Sequence, residues 1–293
     1  MKKFLFVLAN VTAVSAAPQI AHATFLNTSL SYSHISEDGA ELNSVTGKYM
    51  YERNFGNISI SGGIVGSKLS SDGFDSRSNE YTGAIGISIN PALTVFGGVS
   101  SFDIDGDYEI DQFLTYSLGA EYLIDEFTIG AAVLNSDSTE FDLDATQIYV
   151  DYNTPKTKAY ASVSFVGDEN IIQLGASRDT DQYEAKVDAF RIDDNSIYTA
   201  SFSYNIQPRA RLNVGLEHWN AGGDKLNKAS IGGGYMVVDN IWFDVGYQNY
   251  DAGGASADGV SLKISYDLGT SRLRAIDRIQ TYSFLNPNSF FAN

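Results

Sequence analysis

Carboxylates rather than nucleophiles carry whatever chemistry this chain has. The densest run is Asp103-Ile104-Asp105-Gly106-Asp107-Tyr108-Glu109-Ile110-Asp111. Acids at alternate positions offer the oxygen ligands that Ca²⁺ takes. The run departs from the EF-hand pattern, because counting from Asp103 puts Tyr108 at the loop-glycine position and Leu114 at the bidentate-glutamate position. Two further readings stand beside a calcium site: a solvated loop, and an acidic wall drawing cations to an entrance. Hydrolysis finds little support. His34 and His218 are the histidines outside the leader, far apart in sequence, and no G-x-S-x-G or metal-binding His pair occurs. Zero cysteines exclude disulfides, thiolate nucleophiles and thiolate metal sites. The expectation is a protein that is not an enzyme and needs no cofactor, the Ca²⁺ reading of 103–111 aside.

A second set of charges is defined by phase. Lys48, Glu52, Glu121, Asp151, Lys158, Glu184, Lys186, Asp188, Arg211, Glu217, Asp244, Lys263 and Asp267 fall on the polar side of alternating segments. Lining a water-filled passage, such charges set the local potential, and acids outnumber bases among them. A mild preference for cations follows at low salt. The plainer alternative is that they only solvate a polar wall.

The elements that must hold these charges are strands. Short turns recur near Phe55, Pro91, Asp125, Pro155, Thr180, Pro208 and Asp239. Prolines in turns take no N–H from a ladder. Between the turns lie sixteen strand candidates: 25–36, 41–54, 57–70, 77–89, 92–103, 111–124, 126–136, 140–153, 157–168, 170–178, 181–191, 195–206, 209–219, 226–238, 240–250 and 257–268. In the sixth, Leu114, Tyr116, Leu118, Ala120, Tyr122 and Ile124 share one face against Thr115, Ser117, Gly119 and Glu121.

So many strands with one polar face leave no second apolar layer to pack against. Turning the burial inside out resolves this: apolar faces meet lipid, polar faces meet a wet lumen, and closure removes exposed edges. The predicted fold is all-β, a transmembrane antiparallel up-and-down β-barrel of about 16 strands with short periplasmic turns. Tyr49, Tyr51, Tyr122, Tyr152, Tyr204, Tyr235 and Tyr266 lie on the outer faces near the short turns, where a headgroup boundary would hold them. The alternate connections read as longer and acidic or Gly/Ser-rich, at 70–76, 104–110, 220–225 and 251–256. Long loops belong outside the cell, so both barrel ends are expected in the periplasm.

Three segments are expected. Residues 1–23 read as a secretory signal peptide, with Lys2 and Lys3, an apolar stretch and Ala21-His22-Ala23 before the cut. Residues 24–269 form the barrel. Residues 270–293 form a tail in which Arg272, Arg274 and Arg278 outweigh Asp277, either periplasmic or inserted in the lumen. Net charge is −17, and −19 once Lys2 and Lys3 are removed, leaving 17 basic against 36 acidic residues. Nucleic acid is an unsuitable partner for such a chain.

Over 24–269 the chain resembles the Gram-negative outer-membrane porin superfamily. Gly259, Leu262, Ile264 and Tyr266 match the Gly-x-x-hydrophobic-x-hydrophobic-x-aromatic signal by which the barrel-assembly machinery recognises its substrates. The resemblance implies a sixteen-stranded channel in outer-membrane lipid, commonly a homotrimer, passing small hydrophilic solutes. Two departures stand out. The family ends on an aromatic residue closing the last strand, whereas this chain continues through 270–293. The family's long third loop folds inward, whereas here that connection spans only Asp103 to Asp111. The leading expectation is a porin for passive diffusion. The rivals are a structural or adhesive outer-membrane barrel with a filled lumen, and a soluble all-β binding module.

Overall fold

The computed structural model describes residues 25–37, 40–71, 73–106, 110–137, 144–253 and 255–269. The leader, the tail 270–293, Asp107 and Glu109 lie outside these residues.

Sixteen strands follow one another without helices among the described residues. They are β1 (Phe25–Glu37), β2 (Ala40–Phe55), β3 (Ile58–Ser71), β4 (Phe74–Ser88), β5 (Leu93–Gly106), β6 (Ile110–Ile124), β7 (Phe127–Asp137) and β8 (Asp144–Asn153). The second half comprises β9 (Thr157–Val166), β10 (Glu169–Asp179), β11 (Tyr183–Ile192), β12 (Asn195–Gln207), β13 (Ala210–Ala221), β14 (Asp224–Val238), β15 (Ile241–Ala252) and β16 (Ala255–Gly269). Each strand pairs antiparallel with its sequence neighbours, and β1 pairs with β16, so the sheet is a closed barrel.

The turns at the end where the barrel begins and finishes have local causes. Asp125 (φ 52°), Asn240 (φ 65°) and Gly56 (φ 62°) take the left-handed conformation that two-residue hairpins need. Asn90 Oδ1 accepts from the backbone N–H groups of Ala92 and Leu93, both at 2.9 Å, which shapes the turn around Pro91.

The opposite end differs from expectation. Strands run on into the segments read as longer loops: β3 reaches Ser71 and β4 starts at Phe74, β13 reaches Ala221, and β16 starts at Ala255. Hairpins at both ends are therefore tight, and loop length does not distinguish them outside 138–143. The acidic run is likewise not a loop through its whole length. Asp103 and Asp105 belong to β5, and Asp111 to β6. A register shift between Phe102 and Ile104 accommodates the difference. Asp103 and Asp105 pair with Asn79 and Arg77 on the outer face, while Phe102 and Ile104 turn inward. The physical reason is that backbone pairing continues as long as a partner strand is present, whatever the polarity of the side chains.

Burial separates the two faces. Ile60, Ile64, Ile85, Leu118, Ile129, Val133, Ile148, Leu174, Leu216 and Ile231 are exposed on the outside. Ser33, Ser44, Ser67, Ser78, Thr115, Gln147 and Ser162 are buried on the inside. This is the inversion of a soluble protein that a lipid surrounding requires. Tyr49, Tyr122, Tyr204 and Tyr235 stand exposed on the outer face toward the chain-terminus end, with Tyr32, Tyr81, Tyr116, Tyr198 and Tyr247 further along the strands.

Candidate functional site

Strand phase places the charged set. In β1 the residues opposite Ser44, Thr46 and Lys48 are Ser33, Ser31 and Ser29, and those opposite Lys263 and Asp267 are Ser31 and Asn27. One face therefore carries Lys48, Glu52, Lys263 and the Asp267 position together. Following the ladder around the barrel adds Glu121, Asp151, Lys158, Glu184, Lys186, Asp188, Arg211, Glu217 and Asp244 to that same inner face. Glu52, Asp151 and Asp244 are buried, whereas Lys48, Glu184, Lys186 and Lys263 are exposed to the lumen.

Besides Asp179, opposite Glu184 at a strand end, the inward charges Glu80 and Lys228 escaped the sequence reading. Glu80 lies opposite Val65 and Phe102, and Lys228 opposite Glu217 and Tyr250. Both stand in stretches polar on either side, Arg77-Ser78-Asn79-Glu80 and Lys225-Leu226-Asn227-Lys228, so polarity alone does not reveal phase. Counting back by twos would have found them, from Gly86 beside the lipid-facing Ile85 and Ile87, and from Gly234 beside Tyr235.

The wall charges are held by side chains that lie flat across a neighbouring strand. Arg211 Nε donates to Asp244 Oδ1 at 2.8 Å and Nη2 donates to Oδ2 at 2.7 Å, while Asn213 Nδ2 donates to Oδ1 at 2.9 Å. The guanidinium also sits 4.1 Å over the Trp242 ring. Arg211 is on β13 and Asp244 on β15, so the pair crosses β14 at Gly234. A Cβ there would collide with the carboxylate and crowd the guanidinium. The pattern recurs. The Tyr149 hydroxyl donates to Glu121 Oε2 at 3.2 Å across Gly130, and the Tyr160 hydroxyl donates to Asp188 Oδ1 at 2.9 Å across Gly175. Lys186 Nζ is 3.0 Å from Asp188 Oδ2. Flat-lying partners fix these carboxylates in place against the wall.

A second network lies nearer the opposite mouth. Trp219 Nε1 donates to Glu217 Oε1 at 2.8 Å, and Lys228 Nζ is 3.9 Å from Glu217 Oε2. Lys228 lies 5.6 Å over the Tyr250 ring, whose hydroxyl donates to Gln248 Oε1 at 2.6 Å. Lys228 is buried, at 5 % exposure, and Glu217 is half-buried.

At that mouth the polarity of the two faces reverses. In the β1–β2 hairpin His34 and Asn43 bond on the outside at 3.0 Å, and Ile35 opposes Leu42 on the inside. In β7–β8, Asn135 donates to Asp144 outside at 2.6 Å, and Leu134 opposes Ala145 inside. In β13–β14, His218 and Asn227 bond outside at 2.7 Å, and Trp219 opposes Leu226 inside. In β15–β16, Asn249 donates to Asp258 outside at 2.9 Å, and Tyr250 opposes Ala257 inside. Both histidines are thus outer-face hairpin residues, each bonded to an asparagine on the facing strand.

Among the described residues no group of three or more His, Asp or Glu is placed to hold a metal ion. In the final strand, Leu262, Ile264 and Tyr266 point outward, while Gly259 packs against β1 where a Cβ would press on His34 and Ile35.

A closed antiparallel barrel with an apolar exterior and a charged interior is a membrane-spanning β-barrel. No family model matches the sequence, and no curated protein matches it. Among solved structures, the fold is similar to the low-pH structure of OprB from Pseudomonas putida. The TM-score is 0.57 at 10% identity, covering 83% of this chain and 91% of that one. It is similar as well to OccK7 (OpdD) from Pseudomonas aeruginosa, with a TM-score of 0.51 at 9% identity over 83% of this chain and 97% of that one. At these identities the likeness is one of fold.

Proposed function

We propose that the protein is an outer-membrane porin through which small hydrophilic solutes and ions diffuse passively, with a mild preference for cations. One observation carries this reading. A closed sixteen-stranded wall turns its aliphatic side chains out to lipid and its ionised side chains in, with carboxylates the more numerous. The fold likeness to outer-membrane porins supports it. No energy source is needed, since width and wall potential alone select what passes. Cation preference rests on Glu52, Glu80, Glu121, Asp151, Glu184, Asp188, Glu217 and Asp244 outnumbering Lys48, Lys158, Lys186, Arg211, Lys228 and Lys263 on the inner face.

The test is planar-bilayer recording on detergent-refolded protein. Discrete current steps, with a reversal potential shifted toward that of K⁺ in a KCl gradient, are the expected result. A non-conducting structural barrel is favoured by one feature, the packed apolar residues at the hairpin mouth. Membrane-inserted protein that gives no current steps would establish that reading instead.

A further inference from the structure

The reversal of polarity at one mouth has a functional side. Below it, the inner wall is ionised: Glu52, Glu121, Asp151, Lys158, Arg211 and Asp244 all lie toward the chain-terminus end of their strands. Above it, the inner wall is hydrocarbon and aromatic. Ile35 and Tyr250 form a buried cluster with Leu42, Trp219, Leu226 and Ala257 packed against it, an arc running from β13 to β2. On β7 to β9 the mouth carries Leu134 opposite Ala145 and Ala145 opposite Val166, whereas Phe96 and Tyr149 of the same buried cluster lie lower, at the level of Glu121. Between the arcs, Phe190 opposes Ile197 across β11 and β12, with Ile171 opposite Ile192.

Apolar cross-strand pairs next to a turn stabilise a hairpin, and that alone would explain one pair per hairpin. It does not explain their side. In these hairpins the apolar pair faces the lumen while the polar pair faces outward. A projecting barrel rim surrounded by water accounts for the outer polarity. The inner face is then a collar through which every solute must pass.

A hydrated ion crossing such a collar finds few oxygen or nitrogen partners to replace its water, because Glu217, Lys228 and the Tyr250 hydroxyl are engaged with one another, with Trp219 and with Gln248, and narrow apolar constrictions disfavour water itself. A solute with an apolar part meets a surface on which that part is removed from water. We infer that this collar is the specificity-determining element of the channel, favouring small cations that bear a compact apolar or aromatic group over equally charged, smaller and wholly hydrophilic ones. The inference rests on the channel reading above. It adds to that reading a substrate class: an apolar group for the collar, a positive charge for the acidic tier beneath.

The test is a bi-ionic reversal-potential measurement with tetramethylammonium and benzyltrimethylammonium on the full-length protein. Wild type is expected to pass the benzyl cation at least as well as the smaller tetramethylammonium, against the order that size alone sets. Phe190→Ser/Ile197→Ser should lower the benzyl preference several-fold. Phe190→Leu/Ile197→Val should leave it in place, and heat-dependent gel migration establishes that each variant is folded. The wild-type ratio tests the inference even where a variant fails to assemble. A wild-type preference for tetramethylammonium that is unchanged in the serine variant would overturn the collar's role and leave the channel intact. No current in wild type with either cation would overturn the channel reading, and the inference with it.

Discussion

Arg211 and Asp244 meet across Gly234, a residue belonging to neither of their strands. Two parallel hydrogen bonds of 2.8 and 2.7 Å span the strand between them, with the Trp242 ring beneath the guanidinium. The side chains are 20% and 11% exposed, so each charge depends on the other for much of its solvation. Arg211→Ala is predicted to destabilise the barrel by about 2 kcal/mol, because it leaves a shielded carboxylate unpaired. Gly234→Val is predicted to do comparable damage without touching either charge. Guanidinium unfolding of the refolded protein in detergent or lipid measures both. A Gly234→Val variant as stable as wild type would contradict the crossing geometry.

Gly130 provides the bed on which the Tyr149 ring lies to reach Glu121. Gly130→Leu lifts that ring toward the lumen and releases the carboxylate. Single-channel conductance should fall measurably while heat-dependent gel migration stays that of a folded barrel. Unchanged conductance would mean that the ring borders no part of the conduction path.

Neutralising inward acids tests the potential of the wall. Glu52→Gln, Glu121→Gln and Asp151→Asn combined should lower the cation-to-anion permeability ratio, read from reversal potentials in a KCl gradient. The change should be large near 0.1 M salt and small near 1 M, where the Debye length shrinks from about 10 Å to about 3 Å. A ratio that does not move at either salt concentration would show that these acids only hydrate the wall.

The two faces of the wall should respond oppositely to charge. Leu216 lies mid-strand on the outside and is 60% exposed. Leu216→Arg is predicted to cost about 2–4 kcal/mol of stability in a bilayer. Ser201 faces the lumen opposite Lys186, and Ser201→Asp there should change stability by no more than about 0.5 kcal/mol. Lipid-vesicle refolding titrations distinguish the two, and equal effects would contradict the assignment of faces.

Much of this architecture can be read from the chain because period-two alternation reports phase directly. Leu114 to Ile124 and Ile241 to Tyr247 assign their own faces, and phase then assigns Glu121 and Asp244. The reading weakens wherever polarity stops tracking the inside and outside of the barrel. Near the hairpin mouth, Asp103 and Asp105 are polar because they point outward to water, and Ile104 is apolar because it points into the lumen. A rule that equates apolar with lipid turns such residues the wrong way, or reads them as loop. The extended strand ends were missed for that reason. The crossings over Gly130, Gly175 and Gly234 leave no mark within a single strand, since each depends on the register of three.

The pairing of Phe25 with Gly269 places the first and last residues of the wall side by side. Every other ladder joins neighbours in the sequence and can zip up locally, but this one joins segments almost the entire chain apart. Until it forms, fifteen hairpin-linked ladders leave an open ribbon with two bare, sticky margins. A nascent chain cut short anywhere before β16 therefore has no smaller cylinder of the same design to settle into. Closure of the cylinder thus comes down to a single event, the meeting of its two outermost strands.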